Sequence, residues 1–374
     1  MIYADYAATT PIDRRVAASM QPYLEMSFYN PSSLYPAARQ VRQAVEQARE
    51  QVAGLIGATD GHVIFTSGGT ESDNLALIGT ALHPDNHKRH LITSAVEHHA
   101  VLESCAWLER MGFRVTYLPV DRYGRVDPDD LRRAIDADTF LVSVMWVNNE
   151  VGAVEDIETL AGIAHEAGVW FHTDAVQAMT TQNVTTEHVD LLTLSSHKIY
   201  GPKGAGTLYV RDGVPIAPIL HGGQQEGHLR GGTENVPAIV GMGKAAQLLR
   251  AERAALREDL ARWKTRLIDK LSGMDGMIVN SPSGISADSV LHLAFEDIEA
   301  EGLLFWLAKA GVAASMGSAC DTEHVEPSHV VHAIGVPASY ARGCLRLSFG
   351  RGLDDLLVDA LAERIQTAVA RMRR

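Results

Sequence analysis

Cysteine is scarce in this chain: Cys105, Cys320 and Cys344 are the three in 374 residues. So small and odd a number excludes a disulfide framework, and each thiol must be judged separately as core filler, ligand or nucleophile. Positive charge is in short supply as well. The 33 Lys and Arg face 46 Asp and Glu, a formal net charge of -13. That balance argues against a nucleic-acid surface or an anionic membrane as the main partner, because phosphate binding rests on Lys and Arg. Apolar runs such as 140–147 fall far short of the ~20 residues a membrane span needs. Met1-Ile2-Tyr3-Ala4-Asp5 has no basic stretch followed by an apolar one, so a cytoplasmic location is expected. Internal repeats, low-complexity tracts and a charged tail are missing too.

What is there is an ordinary globular composition, 46% hydrophobic and 21% charged. At roughly 100 to 200 residues per domain, the length suits two domains. From about residue 16 to 239, short β-rich runs at 63–66, 90–94, 114–119, 139–147, 169–174, 191–195 and 206–210 alternate with helical patterns at 37–56, 71–81, 100–111, 128–135 and 157–167. Strand then helix, repeated, predicts an α/β fold with a mostly parallel sheet covered on both faces. One long helix with few breakers follows, from about 237 to 271, of a kind that bridges two domains. Beyond it, strands at 277–280, 290–295 and 345–349 and a helix at 301–310 predict a smaller α+β domain.

The chain is organised around Leu191-Leu192-Thr193-Leu194-Ser195-Ser196-His197-Lys198 and the Gly/Pro-rich turn after it. A strand ending in two hydroxyls, a histidine and a lysine delivers Lys198 to the sheet rim, where open α/β sheets bind ligands. A lysine there is either a solvated charge or, partly buried, a nucleophile toward an aldehyde. Other strand ends carry their own polar groups. Thr66-Ser67-Gly68-Gly69-Thr70-Glu71 is a glycine pair at a helix start: an anion site with a hydroxyl from Thr70, or an ordinary tight turn. Asp174 ends a strand as an acid partner for a pyridine nitrogen or as a helix N-cap, with Gln177 close behind it. His98 follows a third strand, and Asn148 and Asn149 end a fourth with amides suited to a carboxylate or a ring oxygen. In Cys344-Leu345-Arg346-Leu347-Ser348-Phe349 the period of two sends Leu345, Leu347 and Phe349 to the core and turns Arg346 to solvent or into a cleft. The convergence of four polar strand ends on a fifth that carries the lysine is the strongest sign of a site.

With these motifs in their order, the sequence resembles the cysteine desulfurases, pyridoxal-phosphate enzymes of the class V aminotransferase group, nearest the nitrogen-fixation and iron-sulfur branch. Asp5-Tyr6-Ala7-Ala8-Thr9-Thr10, 66–74, Glu97-His98, 147–152, 174–177, 195–204, Gly232-Thr233-Glu234-Asn235-Val236, Gly317-Ser318-Ala319-Cys320 and 345–351 carry the resemblance over nearly the whole chain. It implies the type I fold of pyridoxal-phosphate transferases. The large cofactor domain is expected at 14–254, and the small domain, with the cysteine loop, at 1–13 and 255–374.

By the same resemblance Lys198 forms the Schiff base with the cofactor, His98 stacks on the ring, Asp174 holds the pyridinium, and Asn149 and Gln177 contact ring substituents. Gly69 lies in the cofactor loop; Thr70, Ser195 and His197 bind the phosphate, joined by Thr233 from the neighbouring subunit of a homodimer. Asn149 and Arg346 bind the substrate, Arg346 at its α-carboxylate. Cys320 is the nucleophile, while Cys105, in an apolar helical pattern, and Cys344, at a strand start, are structural. The implied reaction converts L-cysteine to alanine. Lys198 takes the Cα proton, the Cys320 thiolate attacks the substrate sulfur, and the persulfide passes to an acceptor protein. Iron-sulfur assembly and thiolation of RNA, of cofactors or of DNA phosphates are equally open as destinations, and a selenocysteine lyase or another enzyme of this fold is the rival reading. No metal is called, since Cys320 with His324, or His329 with His332, gives two ligands and not a closed site. Departures from the family pattern are Gly69 for a common alanine, Ser196 for a common glycine, Gly227-His228 for a usual Arg-Gly, and the charged Asp321, Glu323 and His324.

Overall fold

The computed structural model describes residues 1–317 and 327–374. In chain order the strands are β1 (Ile2–Tyr3), β2 (His62–Thr66), β3 (His90–Ser94), β4 (Arg114–Leu118), β5 (Thr139–Ser143), β6 (Trp170–Asp174), β7 (Leu191–Ser195), β8 (Gly206–Val210), β9 (Met277–Val279), β10 (Val290–Phe295), β11 (Val312–Ala313) and β12 (Cys344–Ser348). The main helices are α1 (Arg14–Glu25), α2 (Pro36–Ile56), α3 (Gly69–Asn74), α4 (His99–Arg110), α5 (Pro128–Ala134), α6 (Ile157–Glu166), α7 (Val236–Leu271), α8 (Ala300–Lys309), α9 (His329–Ala333), α10 (Ala338–Ala341) and α11 (Asp355–Met372).

Seven strands form one sheet in the order β2-β8-β7-β6-β5-β3-β4, parallel throughout except for β8, which runs against both its neighbours. Every residue of β3, β5 and β7 is buried, as expected of central strands covered on both faces, which read as continuous Val/Leu/Ile-rich runs. The mostly parallel α/β sheet of the sequence reading is therefore present. Because β5, β6 and β7 all point the same way, their carboxyl ends share one edge, where Asp174 and Lys198 stand.

The helix α7 begins with an Asn235 cap on the Ala238 amide. Near its start, a Cβ at Gly243 would lie 2.6 Å from the Ala48 Cβ of α2; only glycine allows so close an approach. Near its end, Arg266 pairs with Asp359 of α11 at 2.6 Å. It thus packs against elements from both ends of the sequence, with the antiparallel sheet β12-β10-β9 beyond it. The N-terminus joins that region through β1, which pairs parallel with β11.

Two boundaries differ from the sequence reading by more than two residues, and two of the longer helices are additional to it. The helix expected at 71–81 is α3 followed by a π-helical turn, Leu75–Gly79. The strand expected at 139–147 ends at Ser143: the Val144 and Trp146 amides still donate to His172 and Asp174 of β6, but the Met145 amide donates to the Glu97 carboxylate at 2.9 Å. The helices α1 and α11 were not expected; α11 is amphipathic, with Val358, Leu361, Ala362 and Ile365 buried, and its Asp354 cap accepts from Leu357.

Candidate active site

The turn after β7 is built to hold Lys198 still. Ser196–Lys198 makes one 3₁₀ turn, and Tyr200 then takes a left-handed conformation at φ 67, costly for a residue with a side chain. It is secured at three atoms: its amide donates to Thr10 Oγ1 at 2.9 Å, its carbonyl accepts from Asp13 at 3.0 Å, and its hydroxyl accepts from the Arg351 amide at 2.8 Å. The Lys198 amine donates to the backbone carbonyls of Ala7 and Ala8, the latter at 2.8 Å. The N-terminal segment therefore crosses the site. Gln177 Nε2 also donates to Ala7, at 2.9 Å, and Thr9 Oγ1 lies 3.1 Å from His197 Nδ1.

Lys198 opens on a cavity of about 270 Å³ whose lining includes Gly69, Thr70, His98, Asn149, Asp174, Gln177, Ser195, His197 and Arg346. Ten of the candidates named from the sequence, Lys198 with these nine, are thus brought together by the sheet edge and by β12. Thr233 is not among them: it is exposed ahead of α7 and lines a separate recess with Ser67, Glu226 and Arg230. Cys320 lies outside the described residues. Cys105 and Cys344 are buried, and burial raises both thiols, Cys344 to about 12.

Burial sets the protonation states. The Asp174 carboxyl is pushed up to about 6 by burial, opposed by its Val176 amide bond and by Lys198. Two residues back on the same face, His172 is held down to about 3 by burial, with Ser143 Oγ 2.8 Å from Nδ1 and Thr193 Oγ1 3.1 Å from Nε2. His98 is lowered to about 4, by burial first and then by His99, Lys198 and His329. Its Nδ1 accepts from the Ala100 amide at 3.1 Å as the N-cap of α4, which puts the proton of the neutral ring on Nε2. His197 is likewise down to about 4, by burial and then Lys198. At neutral pH these imidazoles are uncharged.

Four further ionisable residues of the lining, Asp73, Glu97, Glu150 and His329, are given no part by the sequence. Asp73, buried beside Asp174, is raised well above the usual carboxylate range by burial and by that neighbour. Glu97, raised to about 8 by burial, accepts from Ser94 Oγ at 2.6 Å and from the Met145 amide. Glu150 accepts from Ser328 Oγ at 2.6 Å. His329 Nε2 bonds the Glu97 carbonyl at 2.9 Å, its ring centroid 5.0 Å from that of His99. No local spacing announces Asp73, Glu150 or His329, since each meets its partner only through the fold, and Glu97, three residues from Ser94, meets Met145 only that way.

Arg346 enters the cleft rather than solvent: it is 2% exposed, with Nη1 donating to the Asn149 carbonyl at 3.1 Å and Nη2 to Asp5 Oδ1 at 3.0 Å. Its Nε is buried with no partner among the described residues.

The family departures have local reasons. A Cβ at Gly69 would sit 3.2 Å from Val176 Cγ2, so valine fills the place an alanine methyl would want. Glu226, Gly227 and His228 are all left-handed, at φ 47, 65 and 71. The segment is pinned by the Glu226 carboxylate, which accepts from Arg49 at 2.6 Å and from the Phe65 amide at 2.9 Å.

This donor set fits an aromatic aldehyde carrying a phosphate. An amine for the aldehyde, a buried carboxyl for a ring nitrogen and hydroxyls on Thr70 and Ser195 for an anion all face one cavity, and the neutral His98 offers a flat uncharged surface.

The family model for class-V aminotransferases matches residues 2–361. A cysteine desulfurase IscS of Methanosarcina thermophila is 47% identical over 375 residues, covering 100% of this chain and 93% of that protein. Among solved structures, a NifS-like protein superposes with a TM-score of 0.93 at 34% identity, covering 99% of each chain. SspA in complex with cysteine gives 0.83 at 38% identity, over 93% of this chain and 99% of that one. The chain belongs to the class-V aminotransferase family.

Proposed function

We propose that this class-V aminotransferase is a pyridoxal-phosphate-dependent cysteine desulfurase, which converts L-cysteine to L-alanine and passes the sulfur on as a persulfide. The observation that carries the reading is one cavity holding an amine, a buried carboxyl and a guanidinium from three separate parts of the sheets: Lys198 just after β7, Asp174 at the end of β6 and Arg346 on β12. The full-length likeness to cysteine desulfurases, one solved relative of the same fold being described in complex with cysteine, supports the substrate.

When bound, pyridoxal 5'-phosphate supplies an aldehyde and an electron-withdrawing ring that stabilises negative charge at the substrate Cα. Lys198 would hold the aldehyde of the cofactor, and its Nζ would be the base for the substrate Cα proton. Asp174 would be the acid partner that keeps the ring nitrogen protonated. His98 would stack on the ring, and Asn149 and Gln177 would contact its substituents. Thr70, Ser195 and His197 would bind the phosphate beside the Gly69 backbone, and Thr233 of the partner subunit would complete that set in a homodimer. Arg346, with Asn149, takes the substrate carboxylate.

The thiolate of Cys320 attacks the substrate sulfur, an S–S bond forms as the Cβ–S bond breaks, and the electron pair of that bond stays on Cβ, which takes a proton to become the methyl group of alanine. Cysteine plus thiol thus gives alanine plus persulfide with no external oxidant. The described residues on either side of that segment, Gly317 and Ser328, both lie against Glu150, whose neighbour Asn149 holds Arg346. We assign the cofactor domain to 14–254 and the smaller domain to 1–13 with 255–374. Among the described residues no helix is long and apolar enough to cross a membrane. A reaction that runs through free thiols suits the reducing cytoplasm. The sulfur acceptor is a separate protein.

The test is stoichiometric. Purified protein loaded with the cofactor and given L-cysteine and a reductant should release alanine and sulfide in equal amounts. Transamination to a keto acid, or turnover of selenocysteine alone, would replace this reading.

A further inference from the structure

Asp5 stands on the N-terminal segment just ahead of Ala7 and Ala8, and its carboxylate meets the same guanidinium that the reading above gives to the substrate carboxylate. The segment is fixed on both sides of it. Ser348 donates its amide to the Ala4 carbonyl at 2.8 Å, the Ala7 amide donates to Ser348 Oγ at 2.8 Å, and the Tyr3 hydroxyl donates to the Asp5 and Thr9 carbonyls at 3.0 and 2.8 Å. The Asp5 side chain keeps 20% of its surface exposed while Arg346 keeps 2%.

A guanidinium has five N–H donors. Asn149 and Asp5 each use one, and Nε, buried and without a partner among the described residues, faces the remaining need for an acceptor. Among the described residues Glu150 is a second carboxyl within electrostatic reach, its own charge favoured by Arg346, and His292, paired with Arg346 across β10 and β12, is held neutral.

We propose that Asp5 is a positioning residue for carboxylate recognition: it orients the Arg346 guanidinium and offsets part of its charge, so that an amino-acid carboxylate is held only loosely enough to leave. The physical need is specific to this site. Substrate and product carry the same α-carboxylate, so a fully uncompensated, desolvated arginine would grip both, and uniform binding of that kind does not speed the chemical step. A carboxylate already on Nη2 repels a second one placed on Nε and the free N–H groups, and it lowers affinity for substrate and product together.

This rests on the assignment of the cavity to amino acids, and the test separates the two. Holoenzyme of the parent, Asp5→Asn, Asp5→Glu and Arg346→Ala is titrated with L-alanine and with ethylamine, which is alanine without its carboxylate, following the absorption of the bound cofactor. Asp5→Asn keeps an acceptor for Nη2 and removes the charge. It should bind L-alanine about tenfold tighter, a change of roughly 1.4 kcal/mol, with ethylamine unchanged. In turnover its KM for L-cysteine should fall and inhibition by alanine should strengthen. Asp5→Glu, which restores the charge, should bind L-alanine within about twofold of the parent. L-alanine bound by Asp5→Asn no more tightly than by the parent overturns the proposal, as does an equal shift for both ligands, which would mean that Asp5 only shapes the cavity. L-alanine bound equally well by Arg346→Ala and the parent would instead remove Arg346 from the site, and the present proposal with it.

Discussion

Ser328 Oγ donates to Glu150 Oε2 at 2.6 Å, and a Cβ built at Gly317 would lie 2.7 Å from the same oxygen. One buried carboxyl therefore meets described residues on both sides of the segment that carries Cys320. Gly317 also has φ 137, a conformation that favours glycine. Glu150→Ala should leave cofactor content and the spectral response to L-cysteine intact while sulfide release falls about tenfold or more. Equal loss of both responses would show that Glu150 supports the cavity at large.

Lys198→Ala should abolish the visible absorption of the bound cofactor or leave a stable complex with substrate. Turnover of L-cysteine should be lost, because no other lysine or thiol lines the cavity among its described residues. Parent-like turnover would displace Lys198 from the assigned chemistry.

Cys320→Ser should retain cofactor and still react spectrally with L-cysteine, since proton removal at Cα precedes sulfur transfer. Sulfide release should vanish. Persulfide mapped by mass spectrometry to Cys105 or Cys344 in the parent would contradict the choice; both are buried thiols whose thiolates are disfavoured.

Glu97 predicts a pH dependence of stability. Burial raises its carboxyl from 4.5 to about 8, so between those values the folded protein binds a proton that the unfolded chain has lost, and stability falls as pH rises. Glu155, also raised by burial to about 8, adds in the same direction. The buried histidines His98, His172 and His197 act oppositely, but their contribution is complete above about 6.5. The melting temperature of the apoprotein should therefore decline from pH 6.5 to 8. Glu97→Gln, which keeps the acceptor for Ser94 and Met145, should reduce the slope by up to about 1.4 kcal/mol per pH unit. A slope unchanged in that variant would place the proton elsewhere.

How much of this was legible beforehand depended on sequence distance. Lys198, Asp174 and His98 each end or follow a buried apolar run of strand length, and a run of that kind fixes both the element and the edge at which its last residue emerges. Asp5 and Arg346 meet across 341 positions, and no periodicity links them. Asp73 sits inside α3, where a carboxylate at helix spacing looks like a solvated face; only the π-helical turn after it and the strands beneath reveal that it is buried. The left-handed run Glu226 to His228 was visible as a departure from a pattern, but its cause, the Arg49 and Phe65 partners of Glu226, was not.

Arg346 makes the sharpest prediction, because its surroundings distinguish a buried recognition group from a solvated strand arginine. The period of two in β12 required it to leave the core face, and its register partner across the sheet is His292 of β10. At 2% exposure, with two of its nitrogens engaged by Asn149 and Asp5, it is not a surface ion pair of the kind worth about 0 to 1 kcal/mol. Removing one member of a buried hydrogen-bonded charge pair costs roughly 2 to 5 kcal/mol. Arg346→Ala should therefore lower kcat/KM for L-cysteine by about 30-fold or more, at about 1.4 kcal/mol per factor of ten. Arg346→Lys should recover only part of this, because a single ammonium cannot reach Asn149, Asp5 and a carboxylate in the fixed planar geometry of a guanidinium. Cofactor content should match the parent in both variants, since the groups assigned to the phosphate and ring nitrogen stand on other elements. A folded Arg346→Ala enzyme within about threefold of parent kcat/KM would mean that the substrate carboxylate is held by other groups of the cavity.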